Sequence, residues 1–145
     1  MPKYDTYSQQ KAFHSFGSRS SRRLFELLKN CQTLASEIVR ASSKAEKTYR
    51  LTICQQVNHY GYDLIHCIRA ANSLVLDNPD RQKGQTAALE IIERIYDLIP
   101  VLRLCRCITP SQEGMIEKEL CFVKDSLLRW MKSDEKRKDG SQKQG

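Results

Sequence analysis

Three side chains on one helical face are the first candidates for chemistry: His59, Asp63 and His66, at i, i+4 and i+7. Asp63 and His66 have the carboxylate-x-x-His spacing by which helical bundles hold metal ions. A two-metal centre also needs inward carboxylates from the other helices. Glu37, Glu90, Glu93 and Glu119 are available, but no Glu-x-x-His occurs and no second helix bears a histidine. The triplet borders the apolar seam of its helix and does not lie in it, so a solvated polar edge is the expected role. No metal and no other cofactor is predicted.

Cysteine and histidine together could also build a nucleophilic site. Cys31, Cys54, Cys67, Cys105, Cys107 and Cys121 contain no CxxC pair and sit mostly among apolar neighbours at helical spacing. They read as small core residues in a reducing compartment. No strand-loop scaffold or Gly-rich turn is present to expose a nucleophile or form an oxyanion hole, and neither phosphate-loop nor dinucleotide fingerprints occur. The chain is not expected to be an enzyme.

The cations offer a different chemistry. Lysine and arginine number 24 against 17 acids, a formal charge of +7, which suits polyanionic partners. Lys44, Lys47 and Arg50 cluster where the second helix opens, the end at which the helix dipole disfavours positive charge. That makes them candidates for phosphate contact. Arg103 and Arg106 lie in the last turns of the third helix, where complementing the dipole is an alternative role. Lys132, Lys136, Arg137 and Lys138 continue from the fourth helix into the C-terminal segment, and Arg19, Arg22 and Arg23 lead into the first. A solvated charged surface is the competing account of all these positions.

Four apolar stripes must position these groups. The first helix, about Ser20 to Ala41, spaces Leu24, Leu28, Cys31, Ala35 and Ile38 alternately by four and three. The second, about Ala45 to Leu76, repeats the rhythm through Ile53, Val57, Tyr60, Leu64, Cys67, Ala71 and Leu74, and stops at Asp77-Asn78-Pro79-Asp80. The third, about Gln85 to Cys107, carries Ala88, Ile91, Ile95, Leu98, Leu102 and Cys105, with a kink expected at Pro100. The fourth opens on Thr109-Pro110-Ser111-Gln112, an N-cap hydroxyl with proline behind it and glutamine at the capping-box position, and buries Ile116, Leu120, Val123, Leu127 and Trp130. The expected fold is all-α: an up-down-up-down four-helix bundle over residues 19–132. A flexible basic tail (1–18) and a flexible charged tail (133–145) flank it.

A second apolar flank runs along the second helix through Gly61, Ile65, Ile68 and Val75, and another along the third through Leu89, Ile92, Tyr96 and Ile99. Either the core face is broad, or these residues meet another chain. On the second account Ile65, Ile68, Val75, Ile92, Tyr96 and Ile99 form a homo-oligomer interface. No stretch is long and apolar enough to span a membrane, and no secretory h-region opens the chain. Lys11 to Arg23 is basic, Ser-rich and free of acids, a partial imitation of an organellar transit peptide. The expected location is cytoplasmic.

From about Lys44 to Lys132 these pieces resemble a known group, the accessory variability determinant (Avd) proteins of diversity-generating retroelements. The wider small four-helix-bundle family includes the bacterial ribosomal intervening-sequence proteins. The resemblance is carried by Lys44-Ala45-Glu46-Lys47-Thr48-Tyr49-Arg50-Leu51, by Asp63-Leu64-Ile65 leading into Arg69-Ala70-Ala71-Asn72-Ser73, by Ile108-Thr109, and by Trp130 before a basic segment. The sequence departs from the family in having Leu128-Arg129 before the tryptophan, where a small residue is usual, and in Pro100. The resemblance implies a non-catalytic protein that assembles as a ring, commonly a pentamer. It would bind a retroelement reverse transcriptase with its template RNA and support mutagenic cDNA synthesis. A protein-interaction or ribosome-associated bundle without a polymerase partner is the alternative.

Overall fold

The computed structural model describes residues 18–143, and every regular element among them is helical. The expected tail 1–18 lies, but for Ser18, outside the described residues. α1 runs Ser18–Ser42 and buries Leu24, Leu28, Cys31, Ala35 and Ile38 as expected, together with Leu27 and Leu34. It ends where Ser42 and Ser43 turn their hydroxyls onto the carbonyls of Ile38 and Arg40, 2.7 and 2.8 Å away, bonds that favour leaving the helix.

The second rod is not uniform. A short α-helical turn, Lys47–Tyr49, passes into a π-helical segment, Arg50–Cys54, and then into α2, Gln55–Asn72. Cys54, Val57, Gly61, Leu64, Ile68 and Ala71 are buried, so the inward stripe shares Val57, Leu64 and Ala71 with the expected one but is rotated toward the flank. Gly61 lies on this side of α2, where a Cβ would stand 3.4 Å from that of Ala35 in α1, an ordinary contact distance.

α3, Pro79–Leu104, begins six residues earlier than the stripe suggested. The turn signal Asn78-Pro79 also starts a helix: the Asn78 side chain accepts from the Asp80 amide at 2.9 Å with proline at the first position, satisfying an otherwise orphaned donor. Arg81, Gln85, Ala88, Ile92, Ile95, Ile99 and Leu102 point inward. The helix continues through Pro100, whose missing N–H leaves the Tyr96 carbonyl without its helical donor.

α3 closes in a Schellman turn. The Cys107 amide donates to the Leu102 carbonyl at 2.8 Å and the Arg106 amide to that of Arg103 at 2.9 Å, while Arg106 takes φ 60°, a conformation usually left to glycine.

α4, Pro110–Lys143, starts on the expected capping box: Thr109 N–H to Gln112 Oε1 at 2.8 Å, and Gln112 N–H to Thr109 Oγ1 at 3.1 Å. Its expected stripe, Ile116 to Trp130, is buried. The expected flexible tail from Ser133 is corrected: the helix runs on to Lys143, because Asp134 continues the four-three stripe and is itself buried.

Cross-helix pairs set the register. Glu93 meets Lys124, Tyr96 meets Cys121, Arg81 meets Asp134 and Arg103 meets Glu113, so α3 and α4 run antiparallel. Gly84 lies against Ala71 and Arg94 over Tyr60, which makes α2 and α3 antiparallel too. Glu37 and Ala41 share a crevice with Gln112 and Ile116, placing the end of α1 beside the start of α4. Among the described residues no helix is long and apolar enough to cross a membrane.

Candidate nucleic-acid interface

The antiparallel register gathers at one end of the molecule the turn after α1, the opening of the second rod, the end of α3 and the start of α4. Lys44, Lys47, Arg50 and Arg106 are exposed there. Positions 50 and 106 are far apart in sequence, yet the thiols of Cys54 and Cys107 meet, and the Glu46 carboxylate lies near Cys107. Buried Ala45 pins the turn, and its amide donates to the Ser42 carbonyl at 3.2 Å. None of these four cations forms an ion pair with a described residue. Arg103 differs: its Nε is 3.0 Å from the Glu113 carboxylate, which ties the end of α3 to the first turn of α4.

The C-terminal cations lie at the other end, beside the start of α3. Lys132 and Lys136 are exposed, Lys138 is half-buried, and exposed Arg137 lies 3.8 Å from an oxygen of Asp134. The two groups of cations predicted from the sequence therefore form two surfaces.

At this second end sits a network that the sequence reading missed. Arg81 donates from Nε to Asp134 Oδ2 at 2.7 Å, from Nη2 to Oδ1 at 3.1 Å, and from Nη1 to the Leu74 carbonyl at 2.9 Å. Gln85 Nε2 donates to Asp134 Oδ2 at 2.9 Å, and the guanidinium lies 5.2 Å from the Trp130 ring centroid. Both charged side chains are under one-tenth exposed. A signal for it exists in the sequence, because Arg81 and Gln85 extend the Ala88, Ile95 and Leu102 spacing backwards by three and four.

The thiols are free and differ by place. Burial pushes Cys31 up to about 12. Cys107 is also pushed up to about 12, by burial and then by its hydrogen bond with Cys54. Cys121 is exposed and accepts the Tyr96 hydroxyl at 3.1 Å; burial first, and that bond second, raise the phenol above its ordinary value. Six cysteines in the core is therefore too strong: Cys31, Cys54 and Cys107 are buried, Cys67 and Cys105 half-buried.

His59, Asp63 and His66 are exposed on α2, with the His59 ring edge-on to Tyr62 at 6.2 Å. Among the described residues no three metal-binding side chains converge.

The expected oligomer face does not survive as one surface. Ile68, Ile92 and Ile99 are fully buried within the single chain, so they have no area left for a second copy. The core side of each helix takes residues from both stripes, Gly61 and Ile68 with Val57, Leu64 and Ala71 in α2, Ile92 and Ile99 with Ala88, Ile95 and Leu102 in α3, while Ile91 and Leu98 pack half-buried at its margin. Ile65 lines an open groove of about 510 Å³ between α1 and α2 with Ala35, Val39 and Tyr62. Tyr96 sits on the α3–α4 seam, and Val75 is exposed in the turn after α2.

Family models, curated proteins and solved structures were all compared with the chain, and none matches.

Proposed function

We propose that this chain is a non-catalytic adaptor, an up-down-up-down bundle that holds RNA by its phosphate backbone. The observation that carries this reading is the convergence of Lys44, Lys47, Arg50 and Arg106, exposed and without ion-pair partners among the described residues, at one end of the bundle. Such cations bind phosphate by charge and read no bases. The polymerase partner rests on the resemblance of Lys44 to Lys132 to the retroelement accessory proteins, which makes the RNA a template for a reverse transcriptase. Assembly into a ring, implied by the same resemblance, would have to use apolar residues that the bundle leaves exposed, such as Tyr62, Leu104 or Phe122.

Titrating an unstructured RNA across a salt series tests the first claim. Each phosphate neutralised on a single strand contributes about 0.7 to the fall of log affinity with log salt. The double substitution Lys47→Gln with Arg50→Gln is expected to shrink that slope by about 1.4. A flat salt response of the wild-type protein overturns the reading. Failure to co-purify with a reverse transcriptase encoded beside it overturns the choice of partner.

A further inference from the structure

We propose that the buried Arg81–Asp134 ion pair is a positioning device, which holds the C-terminal end of α4 rigid so that Arg129, Lys132 and Lys136 present one row of charge to a phosphate backbone. This rests on the reading of the chain as an RNA-backbone binder. Arg129, Lys132 and Lys136 follow at i, i+3 and i+7 and all three are exposed, so they share one face of the helix. Asp134 faces the other way, into the bundle.

The local sequence opposes this order. Lys132 and Lys136 are like charges one turn apart, which repel, and Gly140 weakens the helix further. A short helix of this composition is marginal by itself. Among residues 133–140, Asp134 alone makes a hydrogen bond to a described residue of another helix. Arginine suits it as a partner, because a guanidinium fork gives two parallel bonds to one carboxylate and fixes its direction. A third bond, to the Leu74 carbonyl, ties the same guanidinium to the turn after α2. Without the pair, α4 would lose the hydrogen-bonded anchor that follows Trp130 and Met131, and the row of cations would become a chain segment that must be ordered each time RNA binds.

Positioning and simple electrostatics predict opposite outcomes. Asp134→Asn deletes a negative charge among the cations, so Coulomb attraction alone predicts tighter RNA binding. Positioning predicts weaker binding. With the full chain and a short oligouridylate, at a temperature where circular dichroism shows the bundle intact, Asp134→Asn is expected to weaken binding about tenfold, the ordering cost of one or two long side chains. It should also reduce the salt slope, and amide exchange should quicken over residues 133–140. Arg81→Lys keeps the net charge and loses the fork, and it serves where the asparagine variant is too unstable; the same losses are expected of it.

Binding by Asp134→Asn or Arg81→Lys that equals or exceeds wild type overturns the inference and leaves the RNA reading standing. So does a Lys132→Gln, Lys136→Gln double variant that binds as tightly as wild type. Failure of the wild-type protein itself to bind the oligonucleotide overturns the RNA reading instead.

Discussion

Arg106 is the residue whose geometry and chemistry pull in opposite directions. The Schellman turn at the end of α3 needs a left-handed residue, and Arg106 supplies it at φ 60°, where a Cβ crowds the following carbonyl. Glycine would fit without strain. Backbone strain of this kind persists where the side chain has a use, and the exposed Arg106 guanidinium stands with Lys44, Lys47 and Arg50 at the same end of the bundle. Arg106→Gly is therefore expected to raise unfolding free energy by about 1 kcal/mol while weakening RNA binding. Arg106→Ala should lose the same affinity without the gain in stability. Urea unfolding measured beside RNA titration checks both halves, and an Arg106→Gly protein less stable than wild type would contradict the strain argument.

At the scale of elements, two glycines inside helices answer to different neighbours. A Cβ at Gly84 would come within 3.0 Å of the Ala71 Cβ, closer than side chains normally approach; at Gly61 the nearest atom is 3.4 Å away, an ordinary contact. Alanine gains up to about 1 kcal/mol over glycine in a helix interior. That gain should survive at Gly61, so Gly61→Ala is expected to be neutral or stabilising. Gly84→Ala must push α2 and α3 apart and should destabilise by about 1 to 3 kcal/mol, a reversal of sign that thermal unfolding of the two variants would show. Helix packing also explains what can and cannot be read in advance. Helix number, the Thr109 capping box and the α4 stripe follow from local spacing. The inward faces of α2 and α3 do not, because Ile91 and Leu98 compete with Ile92 and Ile99 in two equally apolar stripes. Which of them is buried is settled by how α2, α3 and α4 pack together, which neither stripe encodes by itself. Asn78-Pro79 reads as a stop although the same pair also starts α3, and Asp134 falls into an expected tail because its charge hides its place in the stripe.

For the whole molecule, the same ambiguity separates a broad core from an interface. The exposed cations are legible one by one from charge and spacing; that they form two surfaces at opposite ends needs the antiparallel register, which no single helix encodes. The apolar flanks are legible as apolar, and their destination is not. Full burial of Ile68, Ile92 and Ile99 inside one chain turns them from association residues into determinants of the fold, and the two roles respond differently to dilution. Truncating a core isoleucine removes transfer free energy and leaves a cavity, a loss of about 2 to 5 kcal/mol that does not depend on how many copies are present. Truncating an interface isoleucine shifts an association equilibrium, so its apparent stability follows protein concentration. Ile92→Ala should thus lower the melting temperature by the same amount across a wide dilution series, whatever the oligomeric state of the wild type. A loss that deepens as the protein is diluted would return Ile92 to a surface between chains.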